Sequence, residues 1–217
     1  EKSNMINLVK NKRIIIIGPA DDEEINTKNQ YDVCVSANFL SGRDDKVDIS
    51  YYGNIIKNVG AKKVSTSFKD IEFACVTPEF LKLLNLTPIQ ASKVRGIEKD
   101  LRLLLFNFRS RPNMIQDIVI DLLKHNPKKI YLCGINFYIN KKIYRDNLYS
   151  KFFPSEKKNK SILESLRGAH DPFSNFIILK NIWINGLIDV SKEVEKIISL
   201  TEVEYAKKLE MSQDTFL

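Results

Sequence analysis

Two tyrosines, a histidine and an arginine pair are the residues of this chain whose types and spacing suit chemistry. The segment CGINFYINKKIY (133–144) places Tyr138 and Tyr144 six residues apart. Phenol hydroxyls at one edge of a sheet can donate hydrogen bonds to a departing phosphate without adding a charge. His170, within LRGAHDPFSNF (166–176), is one of only two histidines. A histidine where a loop meets a helix can act as a proton acceptor near neutral pH. Arg109 and Arg111 stand just before Pro112 and a helical stripe, and a helix start flanked by arginine suits an anion. Each feature also has a plainer structural account. Phe137 and Tyr138 can form an aromatic cap over the core, and the arginines can be surface charges. Asp171 and Pro172 can cap and open a helix, leaving His170 incidental. On the motifs alone the plainer account is favoured for Tyr138 and His170, and the arginines divide evenly. His125, in LLKHNPKK, belongs to a helix end, where the terminal carbonyls attract it, and reads as structural.

IIIIGPADD (14–22) is a buried run that ends in a turn at Gly18 and Pro19. It is not GxGxxG, and no GxxxxGK[ST] occurs, so neither dinucleotide nor P-loop binding is expected. Asp21 and Asp22 read as helix N-terminal charges. No His/Asp/Glu group has metal spacing, and no metal is expected. Cys34, Cys75 and Cys133 sit singly in apolar stretches with no CxxC, as buried thiols in a reducing compartment do. The net charge of +7 comes from lysines spread along the chain, densest at EKKNKS (156–161). That pattern describes a solvated surface, and nothing in it carries a nucleic-acid motif. No apolar run reaches the roughly 18 residues of a membrane span. The first residues lack a signal-peptide core, so the chain reads as soluble and intracellular.

The elements that must position these residues alternate between strand and helix. Strands are expected at Arg13–Ile17, 31–36, 72–76, Lys129–Cys133 and 187–190. Helices are expected after Thr77-Pro78, over 112–125 and 173–184, and after Ser191. Residues 101–106 fit either type, and the polar stretch 145–168 reads as a mobile lid. The whole, 1–217, is expected to be one α/β domain with a mostly parallel sheet and helices on both faces. Ligands of such sheets bind beyond the carboxyl ends of the strands. That rule singles out 18–22, 37–40, Thr77-Pro78 and 134–144.

In this order, the segments resemble the bacterial sialyltransferases of glycosyltransferase family 42, over most of residues 13 to 200. The matching pieces are Gly18-Pro19 after the first strand, Asn38 after the second, CGINFY (133–138) with Tyr144, a Lys-rich loop, and His170 before a helix. The chain departs from the family pattern at Ala20, where Ser is usual, and at Asn136, where Asp is usual. The resemblance implies a single Rossmann-like (GT-A-like) domain with a flexible lid around 145–168. It implies an inverting, metal-independent transfer of sialic acid, or a related ulosonic acid, from a CMP-sugar to a glycan hydroxyl of a surface polysaccharide or lipooligosaccharide. His170 would be the general base, and Tyr138 and Tyr144 would hold the departing phosphate. Gly18, Pro19, Ala20, Asn38, Gly134, Asn136 and Phe137 would line the donor, with Arg111 near it. No cofactor beyond the CMP-sugar substrate is implied. The implied partners are that donor, a glycan acceptor and a second copy of the chain, without nucleic acid, in the cytoplasm with peripheral contact at the inner membrane. Two alternatives stay open: a non-catalytic module that binds glycan, nucleotide or protein, and a transferase of the same fold with another nucleotide sugar.

Overall fold

The computed structural model describes residues 2–41, 46–97, 113–139 and 171–214. Its centre is a seven-stranded sheet. In chain order the strands are β1 (Arg13–Ile17), β2 (Val33–Ala37), β3 (Ile49–Tyr52), β4 (Phe73–Val76), β5 (Val94–Gly96), β6 (Lys129–Cys133) and β7 (Asp189–Val190). They lie side by side as β5-β4-β3-β2-β1-β6-β7, and every pairing is parallel. The chain steps outward from β1 to β5, then returns to the other side of β1 for β6. The reversal point of an open α/β sheet is a crevice between diverging connections. Here it lies between the carboxyl ends of β1 and β6.

RIIII forms β1 because β-branched side chains suit a pleated strand covered on both faces. Ile14 and Ile16 enter one hydrophobic cluster, and Ile15 and Ile17 enter the other. The first cluster is roofed by helices Lys2–Val9, Met114–Leu123, Pro172–Ile184, Lys192–Ile198 and Glu202–Asp214. The second lies under helices Ile55–Val59, Ala61–Thr66 and Pro78–Leu81. All three cysteines are buried thiols outside any disulfide, and burial pushes the Cys75 thiol up to about 12.

The expected strands exist, Arg13–Ile17 and Lys129–Cys133 with the expected ends and the other three with shifted ones. The one expected at 31–36 is Val33–Ala37, because Asp32 turns its carboxylate back onto Arg13, accepting from the Arg13 N–H at 2.8 Å. The one expected at 187–190 is only Asp189–Val190. The helix expected over 112–125 spans Met114–Leu123. Helix Pro78–Leu81 opens at the expected proline, but the Thr77 side chain makes no capping hydrogen bond and the helix lasts four residues. Strands β3 and β5, and helices Lys2–Val9 and Glu202–Asp214, add to the expected set. Residues 101–106 and the lid region lie outside the described residues.

A buried ionic group crosses the first cluster. Asp121, fully buried on helix Met114–Leu123, accepts from the Tyr51 hydroxyl at 2.5 Å and pairs with Arg95 of edge strand β5. Removing one partner of such a pair strands the other charge, at a cost of about 3–5 kcal/mol. Asp121→Ala is therefore expected to lower the urea-unfolding free energy by about that amount. A loss below about 1 kcal/mol, the range of exposed pairs, would refute this role for the pair.

Candidate functional site

The register brings the expected turn residues together. Ile17 pairs with both Ser36 and Cys133, so Gly18 follows at the level of Gly134, with Asn38 just beyond β2. Gly18 donates to the Cys133 carbonyl at 2.8 Å, and Ala20 donates to the Gly134 carbonyl at 2.8 Å. The approach is too close for any side chain. A Cβ on Gly18 would lie 2.3 Å from the Gly134 oxygen, and one on Gly134 would lie 3.0 Å from the Gly18 oxygen. Gly134 also adopts φ +71°, open to glycine at little cost. Pro19 is half-buried and Ala20 buried against this contact. The result is a saddle at the sheet's reversal point, formed by the close contact of two buried backbone turns.

Asp22 locks the saddle. Its carboxylate accepts from the Gly134 N–H at 2.9 Å and from the Ser191 hydroxyl, and it caps the 3-10 helix Glu23–Gln30 through the Glu24 N–H at 3.0 Å. The reading of Asp22 as a helix N-terminal charge holds, and its longer-range bonds were not legible. Next to it, Glu24 accepts from the Lys192 N–H at 3.0 Å and from the Tyr131 hydroxyl. These bonds, the backbone one foremost, hold its carboxyl below the usual range.

Beyond Gly134 the chain makes an unusual turn. Phe137 and Tyr138 have φ of +48° and +64°, a region costing bulky residues on the order of 1–3 kcal/mol each. Four groups hold it there. Asn136, buried, accepts from the Tyr138 N–H at 3.1 Å through its side chain and from the Ile139 N–H at 3.1 Å through its carbonyl. The Tyr205 hydroxyl donates to the Phe137 carbonyl at 2.8 Å, and the Ser212 hydroxyl lies 3.3 Å from the Tyr138 carbonyl. Phe137 itself, 4% exposed, packs edge-on against Phe176 and Tyr205. For its ring the aromatic-cap account holds, whereas Tyr138 turns its hydroxyl elsewhere.

That hydroxyl meets Asn113, the N-cap of helix Met114–Leu123, a helix expected to start at Pro112. The Asn113 side-chain oxygen accepts from the Met114 N–H at 2.6 Å, which leaves its amide nitrogen to donate to the Tyr138 oxygen. The Tyr138 oxygen thus acts as acceptor toward Asn113, and its own hydrogen remains for donation; no acceptor for it occurs among the described residues. Desolvation pushes the phenol up to about 12, so it stays a protonated donor. Asn113 is fixed in turn by Asn175, 1% exposed, whose side-chain oxygen accepts from the Asn113 N–H at 2.8 Å and whose amide donates to the Asp171 carbonyl at 2.8 Å. The starts of helices Met114–Leu123 and Pro172–Ile184 therefore meet beside Tyr138.

Asp171 caps the second of these helices, accepting from the Phe173 N–H at 3.0 Å and from the Ser174 hydroxyl, with Pro172 in the first turn. That opening was expected. His170, Tyr144, Arg109 and Arg111 lie outside the described residues. Asn38 adopts φ +54° and donates its N–H to the Tyr51 carbonyl at 2.7 Å. Its side-chain oxygen is buried with no hydrogen-bond partner among the described residues. A buried acceptor without a donor is a place for a ligand hydroxyl or amino group. No group of three or more His, Cys, Asp or Glu among the described residues is placed to hold a metal ion. No described helix is long and apolar enough to cross a membrane. A cleft of about 480 Å³ opens at the opposite, amino-terminal edge of β1 to β3. Its lining of Lys12, Lys28, Lys46, Asp32, Asp48 and Glu72 mixes both signs of charge and shares nothing with the saddle.

No protein-family model matches the sequence, and no curated protein matches it. Among solved structures, the fold is similar to the sialyltransferase CstII from Campylobacter jejuni in complex with a substrate analogue, CMP-3FNeuAc. That match has a TM-score of 0.51 at 15% identity, over 82% of this chain and 80% of that one. The sialyltransferase CST-II in complex with trisaccharide acceptor and CMP matches at a TM-score of 0.48 and 15% identity, over the same shares. At this identity the likeness establishes architecture alone. The chain is an α/β protein with a parallel seven-stranded sheet of the GT-A-like kind seen in a sialyltransferase.

Proposed function

We propose that the chain is an inverting, metal-independent glycosyltransferase that moves sialic acid, or a related ulosonic acid, from a CMP-sugar to a glycan hydroxyl. The observation that carries this reading is the Tyr138 hydroxyl. It lies on the turn that follows β6, accepts from Asn113 and, among the described residues, has no acceptor for its own hydrogen. The likeness in fold to a sialyltransferase points the same way. In the proposed reaction the acceptor oxygen attacks the anomeric carbon from the side opposite CMP. As that bond forms, the bond from the anomeric carbon to the phosphate oxygen breaks, and both electrons leave with CMP. His170 takes the acceptor's proton. Tyr138 and Tyr144 donate hydrogen bonds to the phosphate as its charge grows, a task that needs donors placed beforehand. Gly18, Pro19, Ala20 and Gly134 line the nucleotide with backbone and small side chains. Asn38 offers it a free acceptor, Asn136 shapes the turn, and Arg111 faces the donor's negative charge. A glycan acceptor on the cell surface, a second copy of the chain and peripheral membrane contact belong to the same proposal.

His170→Ala tests the chemistry. Transfer from CMP-sialic acid to a sugar acceptor is expected to fall about 10²–10⁴-fold, the usual contribution of a general base, with CMP binding retained. Unchanged transfer would remove His170 from the reaction.

A further inference from the structure

The Tyr138 hydroxyl reaches Asn113 from a backbone that at Phe137 and Tyr138 is held in the left-handed region. In the extended conformation that bulky residues favour, successive side chains point to opposite sides. The aim of the hydroxyl is thus set by whatever holds the two carbonyls. Helix Glu202–Asp214, far along the chain from the turn, supplies that hold. Tyr205 is fully buried, and its ring stacks on Phe176 at 4.0 Å and 5°. Its hydroxyl donates to the Phe137 carbonyl at 2.8 Å, and the Pro172 carbonyl lies 3.3 Å away. One phenol therefore bridges the turn that aims Tyr138 and the first turn of helix Pro172–Ile184, two residues after His170 in the chain. Packing alone does not need this group, since a phenylalanine would keep the stack on Phe176.

We propose that Tyr205 is a positioning residue of the site, its hydroxyl fixing the turn that aims Tyr138. Ser212 contributes less, because it also donates to the Leu209 carbonyl at 2.7 Å while lying 3.3 Å from that of Tyr138. The kinetic side of the proposal rests on the transferase reading; the geometric side does not.

Tyr205→Phe keeps the ring and removes one oxygen. A misaim of about 1 Å at a reacting group costs up to about 100-fold, so kcat is expected to fall between about 10-fold and 100-fold. KM for the CMP-sugar is expected to stay within about twofold. In the Tyr138→Phe background the same change should have no further effect on kcat, because coupling of this kind makes paired substitutions non-additive. An equal factor in both backgrounds, or an unchanged kcat, would overturn the proposal. Should Tyr205→Phe lose the fold, Ser212→Ala reads the same clamp, with a smaller loss of kcat that also vanishes in the Tyr138→Phe background. Tyrosine-ring NMR separates this proposal from the transferase reading. With ring-labelled tyrosine, the Tyr138 resonance, assigned by its absence in Tyr138→Phe, should move in Tyr205→Phe while that of Tyr31 stays in place. An unmoved Tyr138 resonance would refute the clamp even in an active enzyme. A moved resonance in a protein that transfers nothing would uphold the clamp and reject the transferase reading.

Discussion

Tyr138→Phe should lower transfer from a CMP-sugar about 10²–10³-fold, the usual consequence of deleting one preorganised donor to a developing oxyanion. The loss should fall on kcat, because charge on the phosphate grows as the bond to the sugar breaks and the donor matters most there. CMP affinity should change by less than about tenfold, the worth of one ordinary hydrogen bond. Phenylalanine keeps the ring but leaves the Asn113 amide without its acceptor, so a stability loss of about 1–3 kcal/mol is also expected. Parallel unfolding curves separate the two effects. Equal losses in kcat and in the folded fraction would assign Tyr138 a packing role, the aromatic-cap account carried from Phe137 to its neighbour.

Gly18→Ala is expected to disable the site from the other side. Its Cβ would stand 2.3 Å from the Gly134 oxygen, 2.8 Å from the Gly134 carbonyl carbon and 2.7 Å from Ile135 Cγ1. Two of those three atoms are backbone, so no rotamer change relieves the contact, and the ends of β1 and β6 must part. Parting them breaks the Gly18 to Cys133 and Ala20 to Gly134 hydrogen bonds that form the saddle. Overpacking of this kind costs typically about 1–3 kcal/mol, and more where backbone must move. Nucleotide affinity should fall by at least about tenfold as the saddle opens. Gly96→Ala is the control, since its nearest neighbours lie at 3.8 Å or more. It should change stability by no more than about 0.5 kcal/mol and leave nucleotide binding intact. A Gly18→Ala protein that binds nucleotide like the native chain would show that the reversal point is not the donor site.

The frame of the site was legible because its signals are local. RIIII and KIYLC are continuous β-branched and apolar runs that suit only strands covered on both faces. Gly18-Pro19 and Gly134 mark the turns after them, and Asp171 and Ser191 cap the helices they were expected to cap. β3 (ISYY) and β5 (VRG) are only four and three residues long and carry Ser50 and Arg95. Their pattern is too short to distinguish from a loop, and Arg95 is tolerated only because Asp121 meets it across the core. The residues that tune the site were hidden for another reason. Asn113, Asn175, Asp22 and Tyr205 act through partners 25 to 169 positions away in the chain, as in the bonds from Asn113 to Tyr138 and from Ser191 to Asp22. No periodicity or cap pattern encodes such distances. The left-handed pair at Phe137 and Tyr138 was equally hidden, because neither residue type favours that conformation and the fold imposes it.

On the proposed function, the reversal point between β1 and β6 is a site for a cytidine nucleotide. Thermal unfolding of the native chain with CMP, and in parallel with UMP, GMP and AMP, tests it most directly. Ligand at about 100 times its Kd stabilises the folded state by about 2.7 kcal/mol, which for a chain of this size raises Tm by about 5–10 °C. That rise is expected with CMP, a smaller one with the other nucleotides, and none in Gly18→Ala. No shift with CMP, or an equal shift with all four nucleotides, would contradict it.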